Sequence, residues 1–232
     1  MNYLEKLRAT MTDEKKESAK KDIFAFYIGR PLSYILTVPF LWLNVTPNFI
    51  SVIAFIEIIL AGTILAVANT LPVALIGWFL FFLWNLLDGV DGNIARLKKN
   101  GSPIGSVYDA MSGYAAMFLL YFSAGIWASK VSVMGSLLII IGSISGMSVL
   151  FPRLVMHKAA TAVQKNNLNS KLADRSDFGI VKSIVLNFTS ISGLVQPILL
   201  IAIVTNKVVM FTVVYLIINV TVMLGSLYKI LK

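Results

Sequence analysis

The chain contains no cysteine, which excludes disulfides, thiolate metal sites and cysteine nucleophiles. Charge is scarce. Charged residues make up 13% of the 232 positions and hydrophobic residues 57%, where a soluble domain carries about 25% and 45–50%. Mean hydropathy is +0.81. This balance excludes an ordinary water-soluble globule, a disordered chain and a nucleic-acid-binding domain. Acids are scarcer than bases, 11 against 20, for a net charge of +9; in a membrane protein such an excess reflects basic loops facing anionic lipid. The first 20 residues are charged, so no cleavable signal peptide is expected.

What the sequence has in abundance is long apolar runs. A transmembrane helix needs about 20 such residues, and six segments qualify: 48–69, 71–96, 104–129, 131–155, 183–205 and 208–228. The stretch 26–43 is also apolar but holds Arg30, Pro31 and Pro39. Charge parity decides its role. Lys6, Arg8, Lys15, Lys16, Lys20 and Lys21 precede it, and further basic clusters lie at 96–99, 153–182 and 229–232. With six spans every rich loop falls on one side, as the positive-inside rule requires. The expected fold is therefore all-α, a six-helix integral membrane bundle with both termini cytoplasmic. Residues 1–47 would form cytoplasmic and interfacial helices, and residues 48–232 the membrane domain. Thr46-Pro47 and Ser102-Pro103 read as helix N-caps followed by proline, and Asn100-Gly101 as a helix end. The loop 164–178 is polar and is expected to be mobile. Gly142 and Gly146 form a small-xxx-small pair that serves close packing within the fold or a dimer face.

Four acids lie inside the predicted spans: Glu57, Asp88, Asp91 and Asp109. A charge at the centre of a membrane helix costs roughly 2.5–3.5 kcal/mol on insertion scales, so intramembrane acids default to functional sites. Asp88 and Asp91 are i, i+3 on one helix, with Gly92 and Ala95 beside them. Gly105 and Asp109 are i, i+4 on the next. A short basic loop joins the two as an antiparallel hairpin, which brings three carboxylates together below the cytoplasmic surface. Clustered anions in a low dielectric repel one another, and a divalent cation relieves this. All-oxygen donors suit Mg²⁺ or Mn²⁺, which also bridge to substrate phosphates. A metal site with small walls, open to cytosol and lipid, suggests phosphoryl transfer onto a lipid or lipid-like alcohol.

The segment from Asp88 to Asp109 reads DGVDGNIARLKKNGSPIGSVYD. It resembles the CDP-alcohol phosphotransferase (phosphatidyltransferase) family, whose pattern is D-x2-D-G-x2-A-R-x8-G-x3-D-x3-D. Asp88, Asp91, Gly92, Ala95, Arg96, Gly105 and Asp109 fall at the matching positions. The resemblance implies a homodimeric enzyme of a bacterial cytoplasmic membrane that takes a CDP-alcohol and an acceptor alcohol, releases CMP and leaves a phosphodiester. Asp88, Asp91 and Asp109 would bind metal. Gly92, Ala95 and Gly105 would shape the cytidine pocket, and Arg96 would steady the acids or the nucleotide. The fourth acid of the pattern is missing, and Gly113 stands in its place. That acid is usually assigned as general base or as ligand of a second metal. Glu57, at a similar depth on the first span, is a candidate to supply the missing carboxylate.

Arg153 and His157 are i, i+4 near the cytoplasmic end of the fourth span. With Lys158 they read as snorkelling basic residues or, led by Arg153, as a pocket for an anionic acceptor. Three other readings use the same acids. A prenyltransferase would match Asn85-x2-Asp88-x2-Asp91 but needs a second acidic motif that the later spans lack. A divalent-metal transporter would spread its acids across the bilayer. A non-catalytic relative that binds nucleotide is compatible with Gly113.

Overall fold

Apolar runs bounded by capping residues dictate helices. The computed structural model describes residues 3–165 and 180–231, and no strand occurs among the described residues. The elements are α1 (Tyr3–Ala9), α2 (Asp13–Ala19), a π turn (Ala25–Gly29), α3 (Arg30–Trp42), α4 (Pro47–Val67), α5 (Leu71–Lys98), α6 (Pro103–Lys130), α7 (Leu137–Lys165), α8 (Ile180–Thr189), α9 (Val195–Val204) and α10 (Val208–Leu231). The loop expected at 164–178 lies, beyond 165, outside the described residues.

The expected caps form. Thr46 Oγ1 accepts from Phe49 N at 3.4 Å, and Ser102 Oγ accepts from Gly105 N at 3.0 Å. α5 ends where Asn100-Gly101 predicts, but the left-handed residue is Lys99, with φ 53°. Lys98 Nζ donates to Asn44 Oδ1 (2.6 Å) and tethers the end of α5 to the α3–α4 turn.

Five helices are long and apolar enough to cross a membrane: α4, α5, α6, α7 as far as Thr161, and α10. The chain is an integral membrane protein. The sixth span differs from expectation, because residues 183–205 do not form one helix. α8 ends at Thr189 and α9 begins at Val195. Polar side chains capture the break. Asn85 Nδ2 donates to the Ser192 carbonyl (3.2 Å), Trp78 Nε1 to the Gln196 carbonyl (2.8 Å) and Gln196 Nε2 to the Phe81 carbonyl (3.0 Å). Backbone groups freed inside a membrane need such partners, because lipid supplies none. Asn85 is thus engaged in holding the α8–α9 break against α5.

α4 packs against both α5 and α6, and α7 packs against α6 and α10. The α5–α6 hairpin is splayed. Its two helices touch little along their length, and Trp84 Nε1 bridges them to Ser112 Oγ at 2.6 Å. α3 lies along the motif-bearing half of α5. Its Ser33, Tyr34 and Thr37 are buried, while Ile35 and Trp42 are exposed. Asn93 Nδ2 donates to Thr37 Oγ1 (3.0 Å) and Ser33 Oγ (3.3 Å).

The small-residue motif is used inside the fold and not as a dimer face. A Cβ at Gly142 would lie 2.5 Å from the Tyr121 carbonyl oxygen, one at Gly125 2.6 Å from that of Leu138, and one at Gly146 2.8 Å from that of Phe118. The backbones of α6 and α7 meet through these glycines, the close approach that small residues allow between membrane helices.

Candidate active site

Two cavities open in the splayed hairpin. The smaller, about 340 Å³, lies between the N-terminal turns of α4 and α6 and the C-terminal half of α5. Asp88, Asp91, Gly92, Ala95, Arg96, Gly105 and Asp109 all line it. Every position of the Asp/Gly/Ala/Arg motif therefore faces one space. The larger cavity, about 1260 Å³, runs between α5, α6, α7, the α8–α9 break and α10. Its walls include the apolar Val107, Met111, Met117 and Met156, and also Arg153 and His157. Asp88, Ser106 and Asp109 line both cavities.

The three acids differ in setting. Asp91 is 7% exposed and its Oδ2 accepts a hydrogen bond from the Ser51 hydroxyl. Asp88 is half-buried and Asp109 exposed. Asp88, Asp91 and Asp109 interact electrostatically with one another. Among the described residues no ion pair reaches any of the three. Arg96 donates to Asn93 Oδ1 at 2.8 Å, so its guanidinium is held on α5 through a residue that α3 holds in turn.

Glu57 is not brought to this group. It lines neither cavity. Its carboxyl oxygens are buried without a hydrogen-bond partner. α4 meets α6 at Gly62, whose Cβ would lie 3.2 Å from Leu119; Glu57 is five residues away, about 140° around the helix. A Cβ at Gly113 would meet nothing within 4 Å, so the position opens directly onto the large cavity.

Sequence reasoning passed over three groups that the fold adds. Asn48 and Ser51 line the small cavity from α4, and Asn48 shares a 3.4 Å hydrogen bond with Ser102. Their only sequence signal is polarity in the first turns of an otherwise apolar helix. Tyr114 lines the large cavity, and its hydroxyl is hydrogen-bonded to His157 Nδ1.

Asp88 and Asp109, carried by two long apolar helices, thus stand on a wall shared by a small cavity and a large one. A sequence model of the CDP-alcohol phosphatidyltransferase family matches residues 44–223, from the α3–α4 turn into α10, and the chain belongs to that family. The membership supports a transferase, with a phosphoalcohol group moving from a CDP-alcohol. A search of curated proteins finds no match.

Proposed function

We propose that the protein transfers the phosphoalcohol group of a CDP-alcohol to an acceptor alcohol and releases CMP, with Mg²⁺ or Mn²⁺, at the cytoplasmic face of the membrane. The observation that carries this reading is the shared wall. Asp88 and Asp109 border both cavities, so a pyrophosphate seated among the acids presents its scissile bond to the larger space. In that reading the nucleotide occupies the small cavity, where the missing side chains of Gly92 and Gly105 let the Arg96 guanidinium and the Asn48 amide lie against the backbone. The acceptor, or the lipid-bearing substrate, occupies the large one. Arg153 there supplies a fixed cation for an anionic acceptor. The acceptor hydroxyl attacks the β-phosphorus, the bond to CMP breaks, and a phosphodiester remains.

Asp88, Asp91 and Asp109 would hold the metal. The donor set fits a hard divalent ion: three carboxylates on one cavity wall, none ion-paired among the described residues. As the side chains stand, no three acids or histidines among the described residues gather into a ready cage. A bound ion would supply charge neutralisation on the pyrophosphate and the leaving CMP. The chain's own residues anchor the site: Ser51 holds the carboxylate of Asp91, and Asn93 holds the Arg96 guanidinium beside it.

The direct test is CMP release from defined CDP-alcohols and acceptors, with Mg²⁺, Mn²⁺ or excess chelator. Gly113 favours a second reading, a relative that binds CDP-alcohol without turning it over. Metal-dependent binding with no CMP release under any acceptor would select that reading.

A Cβ at Gly105 would lie 2.6 Å from Asn48 Oδ1 and 3.1 Å from Ser102 Oγ, so Gly105→Ala pushes Asn48 into the small cavity. The expected result is a rise of roughly tenfold in KM for CDP-alcohol, about 1.4 kcal/mol of lost binding, with only a small fall in melting temperature because the Asn48 amide can swing aside. Gly225→Ala, which lines neither cavity and where nothing lies within 4 Å, should leave KM unaltered.

Both termini in the cytoplasm, with residues 1–47 forming a cytoplasmic and interfacial collar, belong to the same proposal, as does a homodimer in a bacterial cytoplasmic membrane. The native chain has no cysteine, so a single cysteine at residue 10 can report sidedness. It should resist membrane-impermeant maleimide in intact cells and react after permeabilisation; labelling in intact cells would invert the topology.

A further inference from the structure

A hydroxyl that attacks phosphorus must lose its proton, and the acids beside the reacting bond are poorly placed to take it while they hold a metal. The large cavity has few other titratable groups. They are Tyr114 on α6 and Arg153 and His157 on α7. The lining residues of α10 are Asn219, Val222, Ser226 and Ile230, and those of α8 are Leu186 and Thr189, none of which titrates near neutrality. Arginine stays protonated and cannot serve. Histidine is the side chain whose ordinary titration lies nearest physiological pH, and His157 is the one histidine of the chain.

We propose that His157 accepts the proton of the acceptor hydroxyl, with Tyr114 as its positioning residue; the proposal rests on the transferase reading above. The geometry supplies three supports. His157 and Asp109 line the same cavity. His157 Nδ1 is hydrogen-bonded to the Tyr114 hydroxyl; with the ring proton on Nδ1, donating to that oxygen, the ring is fixed and Nε2 is the unprotonated nitrogen available to substrate. Tyr114 lies five residues beyond Asp109, about 7–8 Å along α6 and about 140° around it, and both side chains still line the large cavity. Between them Gly113 contributes no side chain, and nothing stands within 4 Å of where its Cβ would be. That gap leaves the path from the acids to the Tyr114–His157 pair open.

The step balances within the substrates and this pair. The acceptor oxygen forms a bond to the β-phosphorus while its proton passes to Nε2. The bond between that phosphorus and the CMP oxygen breaks, and CMP departs with the bonding electron pair. The imidazolium then releases its proton to water.

The experiment measures CMP release by the full-length protein in detergent with a CDP-alcohol, an accepted alcohol and Mg²⁺, across pH. His157→Gln should lower kcat by about 10²–10⁴-fold, the usual contribution of a positioned general base, with KM for the CDP-alcohol and the melting temperature little changed. It should also remove the acid-side fall of the wild-type profile. Asp88 and Asp109 face the same space and Arg153 lies one turn away, so that limb must disappear in His157→Gln and persist in Arg153→Gln to belong to His157. Tyr114→Phe should lower kcat less and displace the limb. Gly113→Asp added to His157→Gln should restore turnover at least tenfold by placing a carboxylate in the open space. A His157→Gln variant within twofold of wild type, or one whose loss lies wholly in CDP-alcohol KM, would overturn the proposal. A wild-type protein that releases no CMP would overturn the transferase reading itself, which a turning-over wild type with an active His157→Gln would not.

Discussion

Asp91→Asn is expected to abolish metal-dependent CDP-alcohol binding and to lower CMP release by about 10³-fold, the scale on which removal of a single preorganised electrostatic group acts. The substitution separates charge from architecture. Asp91 is almost fully buried and accepts from Ser51, and asparagine keeps an oxygen for that hydrogen bond. What disappears is one negative charge from a group of three. Like charges in a low-dielectric site repel, so metal-free Asp91→Asn should melt at or above the wild-type temperature while losing activity. Such opposition of stability and function is common where a site concentrates unfavourable charge. Isothermal titration with Mn²⁺ and a CDP-alcohol, beside a melting curve in chelator, reads both halves. Retained metal-dependent binding would remove Asp91 from the ligand set. A large fall in melting temperature would mean that Asp91 serves the fold.

The second large effect is structural. Gly142→Leu should prevent α6 and α7 from docking. Its Cβ would fall 2.5 Å from the Tyr121 carbonyl oxygen and 3.0 Å from Gly125 Cα. Both are backbone, and neither can swing aside. Overpacking costs about 1–3 kcal/mol where side chains can yield, and a backbone clash on this seam should exceed that. The expected outcome is a marked loss of monodisperse protein in detergent and a fall of many degrees in melting temperature. Gly225→Leu is the matched control, because Gly225 is exposed and nothing lies within 4 Å of its Cβ. Equal stability of the two variants would contradict the α6–α7 seam.

The grouping of the candidate-site residues was largely legible. Asp88, Asp91, Gly92 and Ala95 lie on one stretch of one helix, so helical periodicity alone places them together. Gly105 and Asp109 follow after a loop too short to carry the next helix elsewhere. All of them do line one cavity with Arg96. The N-caps at Thr46 and Ser102 were legible for the same reason, since capping is decided within four residues.

What the sequence by itself determined about this protein is thus everything governed by short range and by hydropathy: the membrane class, the helices and most of their ends, and the facing of the motif acids. The tertiary structure decided what depends on the angle at which helices meet. Depth along a helix set Glu57 level with Gly113, but Glu57 lines neither cavity and its carboxyl is buried without a partner; axial counting carries no azimuth. The stretch 183–205 is apolar on average, yet Asn85, Trp78 and Gln196 hold a break in it, because hydrogen bonds between distant segments are invisible to an averaged hydropathy. The glycines of α7 could have served an inner seam or an outer one, and only the approach of α6 selected the inner. Tyr114 and His157 stand 43 residues apart in the chain and share a hydrogen bond only because α6 and α7 pack through those glycines and carry both side chains to the wall of one cavity.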